Sequence, residues 1–220
     1  MPFMNLFHFT KHSAPSLTGR AGGESVLLLF FLILPLFASA QRDDSKYLVG
    51  AVPEQNGIIT FTQTFSVPGK TQADIYPVMQ AFIKQLVADG RQDLRTRVVS
   101  DENFATVAKV EEIMTFKKVF LNWDHCFFRY RITAECTADS KVALTITQIS
   151  YQYLFDNEGK GGESYKAEEW ISDKEAINKA GTKLYPRSGK FRRKTIDRVA
   201  DIFAAARAAF EKPSSATVVQ

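Results

Sequence analysis

Only two cysteines, Cys126 and Cys136, occur in the 220 residues, and only one histidine, His125, lies beyond the first forty positions. Zinc centres are built from closely spaced Cys and His donors, so a zinc site is poorly supported. No phosphate loop is present. Gly159-Lys160-Gly161-Gly162 lacks the Gly-Lys-Ser/Thr that opens a helix in such loops and reads as a flexible connection. Adjacent carboxylates occur at Asp43-Asp44, Glu111-Glu112 and Glu168-Glu169. Glycoside hydrolysis needs two carboxylates facing one another across a site, which adjacency does not supply. These pairs read as solvated surface. The formal charge is +4, short of the footprint of a dedicated nucleic-acid binder. There is no internal repeat and no long linker, and no motif asks for a cofactor.

Apolar residues make up 45% of the chain and 18 residues are Phe, which argues for a packed core and against disorder. The core is organised around residues 124–153, a long apolar and aromatic run broken once at Ala138-Asp139-Ser140-Lys141. Side chains two apart on a strand share a face. Cys126, Phe128, Tyr130, Ile132, Ala134 and Cys136 fall on one side. His125, Arg129, Arg131, Thr133 and Glu135 fall on the other, interrupted only by Phe127. In the second arm Val142, Leu144 and Ile146 alternate with Ala143, Thr145 and Thr147, and the phase then slips to Ile149, Tyr151 and Tyr153. The run predicts an antiparallel hairpin at the centre of a sheet, with a bulge near Gln148. Cys126 and Cys136 lie ten residues apart on one strand, roughly 33 Å at the strand rise. A disulfide needs Cα atoms within about 7 Å, so two buried free thiols are expected.

Residues 26–37 read Val-Leu-Leu-Leu-Phe-Phe-Leu-Ile-Leu-Pro-Leu-Phe, too short to span a bilayer comfortably. Ala38-Ser39-Ala40, a small-x-small cleavage site, and polar Gln41-Arg42-Asp43-Asp44 follow. This is the layout of a secretory signal peptide. Cleavage is expected after Ala40, leaving a periplasmic or secreted chain with no stable membrane anchor. Residues 1–40 are then leader and signal, 41–56 a polar lead-in, 57–211 a single domain and 212–220 a flexible tail.

Along the domain, Asn56-Gly57 marks a turn and 58–67 a first strand. In that strand Ile59, Phe61, Phe65 and Val67 oppose Thr60, Thr62, Thr64 and Ser66. Residues 71–88 read as a helix capped by Thr71 and Asp74, with Ile75, Val78, Met79, Phe82, Leu86 and, at the margin, Ile83 on one stripe and Gly90 after its end. Pro77 is awkward inside it. Residues 96–100 and 106–116 read as strands, 173–179 as a short helix, and 195–210 as the last helix, with Ile196, Val199, Ile202, Phe203, Ala206 and Phe210 on one face. Tyr47-Leu48-Val49 is a candidate edge segment. Short connections favour a meander, and both helices most simply cover the same apolar face. The fold class is α+β, a two-layer arrangement of a curved antiparallel sheet with helices on one face.

The segments Tyr165-Lys166-Ala167-Glu168-Glu169-Trp170-Ile171-Ser172-Asp173-Lys174 and Leu184-Tyr185-Pro186-Arg187-Ser188-Gly189-Lys190-Phe191-Arg192-Arg193-Lys194-Thr195-Ile196-Asp197 carry a resemblance. So do the order of elements and the strand-Val67-Pro68-Gly69-helix opening. Together they resemble a family of exported bacterial proteins, mostly from Bacteroidetes, with a domain of unknown function and a TATA-binding-protein-like fold. The resemblance spans roughly 57–211. It implies the fold and the compartment and brings no activity.

Three surfaces remain as candidates. The first is the polar face of the sheet, with Arg129, Arg131, Thr133, Thr145, Thr147, Thr62 and Thr64. The equivalent face of the TATA-binding protein contacts DNA, but fold does not carry function across. An exported protein rarely meets DNA, and this face reads as hydroxyl-rich more than cationic, so no nucleic-acid partner is expected. The second is the basic run Lys190-Phe191-Arg192-Arg193-Lys194 at the expected start of the last helix. Cations there oppose the helix dipole, so Arg192 and Arg193 are candidate anion contacts unless Asp197 compensates internally. The third, Asp124-His125-Cys126, offers no relay, because adjacent strand residues point apart. The expected function is that of a non-enzymatic exported binding or accessory domain, whose partner is an envelope protein, peptide or glycan. The alternatives are an envelope hydrolase with carboxylates converging from separate segments, or a structural envelope component.

Overall fold

In the computed structural model of the chain, the described residues are 43–91, 95–120, 122–153 and 162–211. The apolar run 26–37 with its cleavage site, the glycine-rich loop up to Gly161 and the tail from 212 lie outside them. Strands β1 (Glu54–Gln55) and β2 (Ile58–Ile59) form a small hairpin. Its turn residues Asn56 and Gly57 both hold positive φ, 52° and 77°. The main sheet comprises β3 (Phe61–Ser66), β4 (Arg97–Glu102), β5 (Ala105–Val119), β6 (Asn122–Thr137), β7 (Lys141–Tyr153) and β8 (Glu163–Lys166). Every pairing is antiparallel and the order is β3-β7-β6-β5-β4, with β8 also paired to β7.

The predicted meander therefore holds for β4 to β8, and β3 departs from it. Strand β3 lies against the far edge of β7, and the chain returns to β4 through helix α1 (Gln72–Asp89). The first predicted strand is also divided, because Thr60 leaves the ladder to bond Pro53 O at 3.0 Å. Strand β3 pairs with the first half of β7 and β8 with the second. The change of partner falls at the predicted bulge. There Gln148 holds φ 52°, and the register against β6 shifts between Arg129 and Arg131.

Both long helices, α1 and α3 (Pro186–Ala208), bury their apolar sides in the same core as Phe128, Tyr130, Leu144 and Tyr151. Ile75, Met79 and Ile83 of α1 are fully buried, each contributing about 1.5–3 kcal/mol. Thr71 caps α1 reciprocally: its N–H donates to Asp74 Oδ2 at 2.9 Å, and the Asp74 N–H donates to Thr71 Oγ1 at 3.2 Å. Pro77 sits inside the helix, so the carbonyl of Ala73 loses its helical donor. Gly90 does not end the helix by a left-handed turn, since its φ is −70°. A Cβ there would lie 2.8 Å from Thr96 Cγ2, so close approach to the next strand is what requires glycine.

Three elements differ from the expectation. Helix α3 begins at Pro186, nine positions before the expected start. Its first turns bury Ser188, Gly189, Arg192 and Thr195, so the inner face there carries no apolar stripe to read. Residues 45–47 form a 3₁₀ turn instead of an edge strand, and Tyr47 packs with Ile177 and Leu184 in a second small core. The short helix α2 is limited to Asp173–Ala176.

The two segments that carry the family resemblance meet in space. Trp170 stacks on Tyr165 at 4.0 Å and meets Phe191 edge-on at 5.8 Å, with Arg187 over its indole. Glu168 accepts the Ile59 N–H at 2.9 Å. Both segments thus act as architecture, fastening β8, α2 and α3 together.

Candidate functional site

The helical layer leaves one face of the sheet to solvent among the described residues. Partner registers fix what stands there, because residues directly opposite in an antiparallel pair share a face. One row runs Thr62, Thr145, Thr133, Val107 across β3-β7-β6-β5. The next runs Arg97, Lys109, Arg131, Thr147 across β4-β5-β6-β7. Beyond it come Glu111, Arg129 and Ser150. All seven residues proposed from the sequence, Arg129, Arg131, Thr133, Thr145, Thr147, Thr62 and Thr64, stand on this face, and all are exposed or half-exposed. Thr60 and Thr147 face one another at 3.4 Å.

The face is more cationic than the sequence implied. A cleft of about 330 Å³ is lined by Arg95, Arg97, Lys109, Arg129, Arg131, Gln148 and the strand segments at Val110 and Tyr130. The sequence alone assigns Arg95, Arg97, Lys109 and Gln148 to no site. Lys109 was visible in the Val107-Lys109-Glu111-Ile113 alternation. Nothing in the sequence says that β4 sets Arg97 beside it.

At the cleft's margin Glu111 is fully buried, although it belongs to the solvent face. The chain after α1 folds over it: Thr96 Oγ1 accepts the Glu111 N–H at 3.0 Å, and the Arg91 N–H donates to its carbonyl at 2.8 Å. Its carboxylate binds Arg129 Nε and meets Arg91 at 3.2 Å and Arg95 at 3.6 Å. Arg129 Nη2 also donates to Gln152 Oε1 at 2.6 Å. Arg91 lies 3.9 Å from the centre of the Phe127 ring. One buried carboxylate therefore holds Arg129 in a fixed orientation at the floor of a basic cleft.

The basic run of α3 is arranged differently from its reading as an anion contact. Arg192 is wholly buried and donates to Tyr47 O at 2.6 Å, Ile171 O at 2.7 Å, Leu48 O at 2.7 Å and Asp173 Oδ1 at 2.6 Å. Burial pushes its pKa down, against the pull of Asp173. Arg193 pairs with Asp44. The anions at this run come from Asp173 and Asp44, while Asp197 accepts from Lys46 and Tyr47 at 2.9 and 3.0 Å.

His125 stacks on Trp123 at 4.0 Å on the open face, whereas Cys126 is buried beneath the sheet. Burial pushes the Cys126 thiol up to about 12 and the Cys136 thiol up to about 11. Both cysteines are free. A smaller cleft of about 200 Å³ on the helical side gathers Glu112, Asp197 and Asp201. There Glu112 is already held by Arg198 at 2.8 Å and by the Tyr130 hydroxyl.

Residues 61–152 match the model of a domain of unknown function with a TBP-like fold, DUF4468. A DUF4468 family protein from Bacteroides ovatus is 35% identical, with a TM-score of 0.70 over 80% of this chain and 99% of that one. A TBP-like protein from Parabacteroides distasonis is 19% identical, with a TM-score of 0.60 over 74% of this chain and 99% of that one. At that identity the likeness concerns the fold alone. No curated protein matches the chain.

Proposed function

The chain belongs to the DUF4468 family of TBP-like domains of unknown function, and from that premise we propose that it is a non-enzymatic binding domain whose open sheet face takes the ligand. The observation that carries this reading is the division of the strands. Phe128, Tyr130 and Ile132 are sealed beneath the helices, while Arg129, Arg131 and Thr133, interleaved with them, stand on the opposite face beside a basic cleft. A sheet face that only met water would need no cleft and no carboxylate buried to orient one of its arginines.

The proposal includes export. The apolar run, the Ala38-Ser39-Ala40 site and the polar residues after it support a chain that begins at Gln41 outside the cytoplasm. The ligand is then an envelope protein, peptide or glycan.

Hydrogen exchange on the protein isolated from the periplasmic fraction tests the reading. Added to a soluble envelope extract, the wild-type protein is expected to gain protection at open-face positions of β5, β6 and β7. The Arg129→Ala/Arg131→Ala double variant is expected to gain none. Protection confined to the helical side, around Glu112 and Asp201, would instead favour a site for an envelope hydrolase.

A further inference from the structure

Arg97, Lys109 and Arg131 stand directly opposite one another on three adjacent strands: Arg97 faces Lys109 across β4-β5, and Lys109 faces Arg131 across β5-β6. Directly paired residues on one face of a sheet have Cβ atoms about 5 Å apart, and like charges so placed destabilise the sheet. Among the described residues the buried carboxylate beside the cleft, Glu111, is taken up by Arg129, Arg91 and Arg95. The side chains of Lys109 and Arg131 make no ion pair or hydrogen bond among the described residues. Between Lys109 and Arg131 the repulsion is left uncompensated among the described residues, and both line a concave part of the open face.

We infer that this cleft is a site for a phosphate group, held by Arg131, Lys109 and Arg97 with Arg129 at its side. The inference rests on the open-face reading and names its ligand chemistry. A monoanionic carboxylate is matched by one guanidinium fork. Several cations in register match a group with more than one negative charge, presented on oxygens that point in several directions. Phosphate has that charge and shape. The volume, about 330 Å³, lies at the small end of ligand sites, suited to one phosphorylated unit. Such a unit could stand free or at the head of a lipid, and the chemistry of recognition is the same. Glu111 is the positioning residue: it fixes Arg129 through Nε, while Gln152 holds Nη2, at the wall of the cleft.

The experiment is a pair of thermal and NMR titrations on the purified mature chain at low ionic strength. One arm uses sodium pyrophosphate, with sodium sulfate and sodium chloride at matched ionic strength. The other uses phosphatidylcholine vesicles with and without one-tenth phosphatidic acid. Pyrophosphate is expected to raise the melting temperature beyond both salts and to shift the amides of Arg97, Lys109 and Arg131. Binding to phosphatidic acid vesicles tenfold tighter than to plain vesicles would assign the phosphate to a lipid head, and no difference would assign it to a soluble ligand.

Lys109→Gln is expected to melt higher than the wild type without anion, because it removes the middle charge of the row, and to lose at least tenfold in pyrophosphate affinity. Arg131→Gln should behave alike. A Lys109→Gln variant that melts lower and still responds to pyrophosphate would overturn the inference. So would a wild type that pyrophosphate stabilises no more than sulfate does. If envelope extract still protects the open face in that case, the phosphate assignment falls and the binding face stands; if extract protects nothing, both fall.

Discussion

Asp101 is where α1 is fastened to the edge of the sheet. Its carboxylate accepts from Tyr76 Oη at 2.6 Å, Gln80 Nε2 at 2.6 Å and Thr106 Oγ1 at 2.8 Å, and Lys84 lies 3.3 Å away. The Tyr76 hydrogen bond, against the opposing effect of burial, holds its carboxyl below its ordinary 3.8. A carboxylate whose pKa is lower folded than unfolded contributes stability above its unfolded pKa and loses it as the pH falls through the folded one. The tie is therefore at full strength at neutral pH and is lost below about pH 4. Asp101→Asn is expected to lower the unfolding free energy at pH 7 by roughly 1–2 kcal/mol. The gap to the wild type should narrow between pH 5 and pH 2.5, as followed by urea denaturation. A gap of constant size would show that the charge on Asp101 does not matter to the fold.

At the scale of an element, strand β7 carries the fold's most informative irregularity. Gln148 adopts φ 52° within an extended strand, and its extra residue returns Ile149 and Tyr151 to the core side after Ile146. A period-two pattern that slips by one residue can be read directly, which is why this bulge was legible from sequence along with the central hairpin and the first helix. Strand β8 was not, because its four residues are mostly exposed and carry no alternation. The first turns of α3 were hidden for a related reason: a buried arginine looks like a surface residue until the carbonyls it bonds are known. The candidate site was half legible. Arg129 and Arg131 follow from alternation within one strand, while Lys109 joins them through the β5-β6 register and Arg97 through a β4-β5 register with its own shift between Val98 and Ser100. The bulge gives a direct test. Gln148→Gly relieves the left-handed backbone and is expected to leave stability level or raised, whereas β-branched Gln148→Val should lose about 1–2 kcal/mol. Equal denaturation midpoints for the two variants would mean that the slip is not anchored at that residue.

The whole molecule is held together from outside its apparent boundary. The lead-in 43–53 reads as a polar approach to a domain beginning near Gly57, yet it closes one end of the helical layer. Tyr47 and Val52 are buried, Asp44 pairs with Arg193, and the carbonyls of Tyr47 and Leu48 accept from Arg192. A polar segment is called to a fold by partners distant in sequence, so composition could not assign it. The proposed cleavage after Ala40 would leave all these contacts in the mature chain. A chain beginning at Pro53 would leave Arg192 in an apolar setting with two of its four acceptors gone, and burial of an underserved charge is costly. Loss of Tyr47 burial alone removes about 2 kcal/mol. The shortened chain is therefore expected to unfold at a lower urea concentration, by about 3–5 kcal/mol in total. Amide exchange should rise first in the N-terminal half of α3, around Phe191 and Arg192, and less at the open face, because the lost contacts to Arg192, Arg193 and Leu184 lie in the helical layer. An unchanged midpoint would show that the sheet and its two helices stand without it; equal loss of protection on both faces would show that the layers melt as one unit.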